Sequence, residues 1–203
     1  MRKGRCKILF GALICLSIFS ACQKKDASEG FDILSFSDDT TDAAALVEQA
    51  NQDLNKIKVM YKKNEVQLEE LKAAMSGKDI ETVKKITDDL VYVLNDGMSL
   101  GESAVEKLGK AQQKNIDVDF KDYLSLKEES LRKQLEAFEN RRQAARLLRD
   151  SFGTADPKKI EEAKAGFKEK EEKFMKTMET AREISKKANE LAKESSKKVK
   201  SEK

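Results

Sequence analysis

Apolar side chains recur every three or four residues along four consecutive segments of the chain, and this spacing restricts them to long α-helices. Only one proline, Pro157, occurs in the 203 residues. In the first segment the repeat continues for four heptads, with charged residues between its members: Val47, Ala50, Leu54, Ile57, Tyr61, Asn64, Leu68, Leu71 and Met75. The sequence therefore predicts an all-α fold.

Three further stripes follow, over about residues 79–114, 119–151 and 156 onward. The Gly77-Lys78-Asp79 sequence predicts a helix end and a new cap, Gly153 predicts another break, and Asp156 and Pro157 are typical of a helix start. A helix with one apolar stripe is not stable alone, and short connections favour antiparallel neighbours. We predict an elongated antiparallel bundle of about four long helices, with coiled-coil-like packing, over residues 43–192. Two hairpins that pair only on oligomerisation are the alternative.

Composition argues against most enzyme chemistry. The chain has no histidine, which excludes Ser–His and Cys–His nucleophile pairs and histidine-ligated metal sites. Its carboxylates lie among lysines at charged-face positions, and no phosphate-binding loop pattern is present. We expect no catalytic residue, no metal site and no non-covalent cofactor.

The first 22 residues have the pattern of an export signal. Residues 1–7 carry four basic side chains and no acid, and residues 8–19 are an apolar run. This run is shorter than the roughly 20 apolar residues that cross a bilayer. Ser20, Ala21 and Cys22 follow it, so the segment is typical of a secretory signal rather than of a transmembrane helix.

The sequence Phe19-Ser20-Ala21-Cys22 resembles the lipobox of bacterial lipoproteins. The resemblance implies that the Cys22 thiol receives a diacylglyceryl group and that signal peptidase II cuts between Ala21 and Cys22. Residues 1–21 are then the signal peptide. Cys6 and Cys15 leave with it, so we expect no disulfide in the processed chain. In this family an Asp after the cysteine retains the protein at the inner membrane, so Gln23 implies the outer membrane if the host is Gram-negative.

Two polar segments flank the predicted bundle. Residues 22–42 are interpreted as the lipidated cysteine and a flexible tether, whose few apolar residues either fold back on the bundle or meet the membrane interface or a partner. Residues 193–203 are rich in lysine, and we expect them to fray. Lys203 is similar in position to the terminal lysine that the major outer-membrane lipoprotein joins to peptidoglycan.

Three arginines in the third segment share one helical face. Arg142, Arg146 and Arg149 follow i, i+4, i+7 spacing. Guanidinium groups bind phosphate and carboxylate in a forked geometry, so this face is a candidate anion-binding site. The alternative is a solvated face on which the arginines pair with nearby acids: Glu136, Glu139 and Asp150.

Three residues within the stripes have two interpretations each. Asn64 either fixes helix register or lies at a wet margin of the bundle. Gly97 and Gly101 either admit a bulky neighbour such as Tyr61 or form a hinge in the second helix.

Together these patterns favour a membrane-anchored envelope lipoprotein with a structural or interaction role. Its expected partners are membrane lipid through the acyl anchor, and another copy, an envelope protein or peptidoglycan. Nucleic acid is not an expected partner. The alternatives are a binding module or chaperone for anionic or apolar envelope ligands such as lipid A, and a surface-exposed antigen that contacts a host.

Overall fold

The chain folds into four α-helices in a computed structural model, which describes residues 38–152, 154 and 156–201. The helices are α1 (Asp38–Gly77), α2 (Ile80–Gln112), α3 (Val118–Phe152) and α4 (Pro157–Ser201). Within these described ranges the structure contains no β-strand, and the prediction of an all-α bundle is confirmed.

Two helix ends extend beyond the predicted limits of 43 and 192. Helix α1 begins at Asp38, so residues 38–42 are helical rather than part of the tether. There, a carboxylate oxygen of Asp39 accepts a hydrogen bond from the Asn115 amide at 3.0 Å. Helix α4 continues to Ser201, and the Ser195 hydroxyl donates to Asp119 at 3.0 Å. A contact with the connection between α2 and α3 therefore accompanies the first extension, and a contact with α3 accompanies the second.

The starts of α2 and α4 have the capping contacts that the sequence predicts. Asp79 accepts a hydrogen bond from the Thr82 amide at 3.1 Å, and Asp156 accepts one from the Lys158 amide at 2.9 Å. Before Asp79, Lys78 has a φ of 58°, the left-handed conformation that commonly ends a helix. These two caps fix the positions at which the chain reverses.

The helices pack in chain order. Their backbones approach within 8 Å between α1 and α2, α2 and α3, and α3 and α4. Among the described residues, the backbones of α1 and α4 do not come this close. Side chains nevertheless connect α1 to α3, because the Tyr61 and Phe138 rings stack with centroids 5.0 Å apart.

The core consists of three apolar layers along the bundle. The layer at the start of α1 includes Ala43, Leu108 and Leu124. The middle layer draws on all four helices, with members Ile57, Leu94, Phe138, Phe174 and Met178. The layer near the connections from α1 to α2 and from α3 to α4 includes Leu71, Val83, Phe152 and Ala163. The predicted stripes thus become one core that extends along the bundle.

The two glycines in α2 have different surroundings. A methyl group added at Gly101 would overlap the side chain of Leu135 in α3, whereas one added at Gly97 would meet nothing within 4 Å. The bulky neighbour is therefore Leu135 rather than the predicted Tyr61, and only Gly101 contacts it. Helix α2 is continuous through both glycines. The prediction for Asn64 lies outside the described side chains, which omit residues 63–66.

Candidate functional site

The arginine that the predicted anion-binding face left out is buried inside the bundle. Arg141 is only 7 % exposed. Its Nε and Nη2 donate to the two carboxylate oxygens of Glu171 in α4, at 2.9 and 2.6 Å. Its Nη1 donates to the hydroxyl of Tyr61 in α1 at 3.2 Å. One guanidinium group therefore joins three helices at one level of the bundle.

Aromatic rings surround this group. The central guanidinium carbon of Arg141 lies 3.5 Å from the centroid of the Phe174 ring, a cation–π contact. Burial alone would lower the pKa of Arg141, but the Coulomb interactions and hydrogen bonds with Tyr61 and Glu171 raise it. Burial also raises the pKa of the Tyr61 phenol. The cluster thus holds a fixed positive charge, a bidentate carboxylate and a neutral phenol.

The Arg141 cluster acts by holding helices in position. Both carboxylate oxygens of Glu171 accept hydrogen bonds from the guanidinium, so the carboxylate is committed to the pair. A slide of α4 along α3 would separate the buried Arg141 from the partly buried Glu171, and a slide of α1 would remove Tyr61 from Nη1. Buried polar groups of this kind can specify one register among several apolar ones. We interpret the cluster as a register-setting contact.

A second buried charge lies between α1 and α2. Asp53 is 5 % exposed and forms a short ion pair with Lys107. It also accepts hydrogen bonds from the Ser103 hydroxyl at 3.1 Å and from Lys56 at 3.3 Å. Burial tends to raise the pKa of Asp53, but these hydrogen bonds outweigh it and hold the pKa below its usual 3.8. This network fixes α1 against α2 as the Arg141 cluster fixes α4 against α3.

Two of the three arginines of the predicted face are held by groups of the same chain. Arg142 pairs with Glu139, and its Nη1 donates to Asn95 in α2 at 2.8 Å. Arg149 donates to Asp150 at 2.8 Å, and this hydrogen bond is the largest of the interactions that raise its pKa. The pairing with Glu139 and Asp150 matches the alternative in which the arginines pair with nearby acids.

The third arginine is free of such pairs in the part of the chain that the structure describes. Arg146 is exposed and lines a shallow surface depression together with Leu147, Asp150 and Lys170. Lys170 is partly occupied, because it donates to the side-chain oxygen of Gln143 at 2.6 Å. Of the predicted anion-binding face, only Arg146 and the depression that it lines remain as a candidate site.

The remaining predicted site residues lie outside the described residues. These are the signal cleavage residue Ala21, the lipidation site Cys22, Gln23 and Lys203. Over the described ranges, no group of three potential metal ligands occurs. None of the four helices, searched over the same residues, is long and apolar enough to cross a membrane.

No protein-family profile, no curated protein sequence and no solved structure matches the chain.

The sequence contained a signal for Arg141 and Glu171 that its interpretation overlooked. Arg141 lies three residues after Phe138 and four before Ala145, and Glu171 lies three before Phe174. Each therefore occupies a core position of its own stripe. A positive and a negative residue at core positions of adjacent antiparallel helices indicate a buried pair, although only the structure shows that they meet.

Proposed function

We propose that the chain is a membrane-anchored envelope lipoprotein, held by lipid on Cys22, with a structural or interaction role and no catalysis. The observation that carries the proposal is the position of Cys22, directly after a basic and apolar export signal. Two or more acyl chains on one residue are enough for stable membrane anchoring. By the resemblance to the lipobox of bacterial lipoproteins, Gln23 after the cysteine favours the outer membrane of a Gram-negative host.

The fold suits such a role because it is a long, internally braced body. Helix α4 has 45 residues, which at about 1.5 Å per residue corresponds to roughly 68 Å. Fifteen residues, 23–37, separate Cys22 from α1, and the length of a peptide unit limits that separation to at most about 55 Å. The bundle would therefore present its charged faces at a bounded distance from the membrane.

The buried charges support a structural role over a catalytic one. Arg141 is paired with Glu171, and Asp53 with Lys107. A general acid or base must be able to reach a substrate, whereas these groups bind one another. They brace helix against helix, which is what a spacer or a presentation scaffold requires.

The test is lipid attachment at Cys22 in cells that express the full-length chain. Incorporation of labelled palmitate, together with membrane fractionation, should show a labelled and membrane-bound protein. Cys22→Ala should abolish the label and release any processed chain from the membrane. Cys15→Ala is the matched control, because it removes a cysteine of the signal and should leave labelling intact.

Two results would contradict the anchor. One is palmitate labelling that persists in Cys22→Ala. The other is a processed Cys22→Ala protein that stays with the membrane as completely as the wild type. A signal peptidase II inhibitor adds an independent readout, since it should cause the lipid-modified precursor to accumulate.

A further inference from the structure

The end of α4 is rich in lysine and lies at the same end of the bundle as the start of α1. Residues 193–201 contain four lysines and one glutamate. We call Lys193, Lys197, Lys198 and Lys200 the lysine end. Lys193 and Lys197 are exposed, and the helix backbone continues to Ser201.

Two contacts establish which parts of the chain share this end. Ser195 in α4 donates to Asp119, in the first turn of α3, at 3.0 Å. Lys114, just after α2, pairs at 2.9 Å with Asp42 near the start of α1. The first turns of α1 and α3, the connection between α2 and α3, and the last turns of α4 therefore lie together.

Helix α4 continues past the first turn of α3 at this end. Ser195 is level with the first turn of α3, and six further residues carry α4 roughly 9 Å beyond it. Three acids at this end are engaged within the fold: Asp42 binds Lys114, Asp39 binds the Asn115 amide and Asp119 binds Ser195. Lys197, Lys198 and Lys200 follow Ser195 and so lie in the projecting turns.

This end is also the one from which the chain leads back to Cys22. Residues 23–37 enter α1 at Asp38, so an anchor on Cys22 places the start of α1 nearer the membrane attachment than the opposite end of that 40-residue helix. The turns of α4 that carry Lys197, Lys198 and Lys200 lie at this end of the bundle. Lysines attract anionic lipid headgroups only within about a Debye length, roughly 10 Å at 0.1 M salt.

We infer that the lysine end binds anionic phospholipid headgroups and forms a second membrane contact beside the acyl anchor. This inference rests on the proposed function, since the anchor brings the lysine end to the bilayer. Each lysine near an anionic surface favours the bound state about fivefold, so three of them favour it on the order of 100-fold. The contact would hold the long axis of the bundle upright, because it fixes a second point near the anchored end.

The experiment uses the processed, lipidated full chain in vesicles. A fluorophore is attached at Ser201→Cys, and nitroxide-headgroup lipid serves as the quencher. The matched label position is Gly77→Cys at the opposite end, where an added methyl group meets nothing within 4 Å. Flotation with neutral phosphatidylcholine vesicles first measures anchoring alone. Quenching is then compared between these vesicles and vesicles that also contain phosphatidylglycerol.

We expect phosphatidylglycerol to increase quenching at residue 201 and to leave residue 77 unchanged, with the increase lost in 1 M salt. Replacing Lys197, Lys198 and Lys200 with Gln should remove the increase. Replacing Lys158, Lys159 and Lys168 with Gln, the same charge change at the other end of α4, should leave it intact.

The outcomes separate the two proposals. A protein that does not float with neutral vesicles lacks the anchor, which overturns the proposed function and the headgroup contact with it. If the protein floats but quenching at residue 201 is the same with and without phosphatidylglycerol, the headgroup contact alone is disproved. That second result is also the one expected if residues 23–37, which hold three acids and two lysines, cover the lysine end instead.

Discussion

At the scale of single residues, the guanidinium of Arg141 is the group whose removal should matter most to stability. Arg141→Met leaves the carboxylate of Glu171 partly buried without its partner, which typically costs about 3 kcal/mol or more. We expect a loss of that size in the free energy of unfolding, measured by urea denaturation followed by circular dichroism.

A pair whose arginine is exposed supplies the control for Arg141. The side chain of Arg132 is 63 % exposed, and its partner Glu128 also accepts a hydrogen bond from Gln112, so Arg132→Met leaves that carboxylate with a partner and should change stability by no more than about 0.5 kcal/mol. The double variant Arg141→Met, Glu171→Met should be more stable than Arg141→Met alone, because apolar groups can replace a buried pair. Equal losses for Arg132→Met and Arg141→Met would disprove the importance of the buried pair.

Asp53 should make stability depend on pH in the acid range. Its folded-state pKa lies below 3.8, its usual value. Ionised Asp53 therefore adds stability above the unfolded-state pKa, and this contribution is lost as the pH falls through the folded-state pKa. Asp53→Asn should flatten the pH dependence of the unfolding free energy below about pH 4. Urea titrations across this range measure it, with the exposed Glu69→Gln as a control expected to keep the wild-type slope.

The sequence predicts the partners of the surface arginines better than the partners of the buried Arg141. Glu139 and Asp150 were candidate partners of the arginines because they lie one to four residues away on the same helix, and local spacing is enough to find such pairs. The partners of Arg141 come from α1 and α4, 80 and 30 residues away. Helical spacing says nothing about distances of that kind, so Arg141 could only be noticed as a charge in an apolar stripe.

At the scale of a helix, the two glycines of α2 should respond to alanine with opposite signs. Gly97→Ala adds a methyl group in open space and should raise the free energy of unfolding by about 0.5 to 1 kcal/mol through helix propensity. Gly101→Ala overlaps Leu135, and overpacking of this kind costs about 1 to 3 kcal/mol. We expect a net loss near 1 kcal/mol, measured by thermal unfolding.

A background change isolates the cause of the loss at Gly101. In a Leu135→Ala background the overlap is gone, so Gly101→Ala should become stabilising there, as Gly97→Ala is in the wild type. If Gly101→Ala stays destabilising when Leu135 is truncated, steric overlap is not the reason that glycine occupies this position.

The starts of α2 and α4 have local capping contacts, whereas the start of α1 and the end of α4 make contacts with residues distant in sequence. Asp79 and Asp156 accept hydrogen bonds from amides two or three residues later, so a local pattern was enough to predict the starts of α2 and α4. The start of α1 and the end of α4 contact Asn115 and Asp119, which are more than 70 residues away in sequence. Both ends lie beyond the predicted limits of 43 and 192, and the tertiary contacts at these ends are with residues distant in sequence.

At the scale of the whole molecule, the antiparallel order makes a direct prediction about distances. Gly77 ends α1 and Thr154 follows α3, and both helices contribute to the same core layer. A pair of labels on these two residues should therefore lie about 20 Å apart. Labels on Gly77 and Lys197 should lie roughly 60 Å apart, the rise of α4 between residues 157 and 197. Pulsed electron paramagnetic resonance on the two double-cysteine variants measures both. Similar distances would contradict the antiparallel order.

The stripes predicted that four helices bury one face each, but they did not predict which helices touch. Each stripe consists mainly of Leu, Ala, Val, Ile and Phe, and such surfaces can pair with one another in several orders. The buried charges distinguish the orders: Asp53 requires Lys107, and Arg141 requires Glu171 and Tyr61. We interpret these polar residues as the groups that specify the arrangement within a permissive apolar background.

Packing in chain order also bears on how the molecule reaches its native state. Each close backbone pairing joins helices that are consecutive in sequence, so little of the chain must be looped out before a contact forms. Helical proteins dominated by short-range contacts fold within about microseconds to milliseconds. If the chain is exported as proposed and emerges from a translocation channel N-terminus first, it could close the hairpin of α1 and α2 while α4 is still in transit. Each later helix would then add to a surface that already exists, with no earlier pairing to undo.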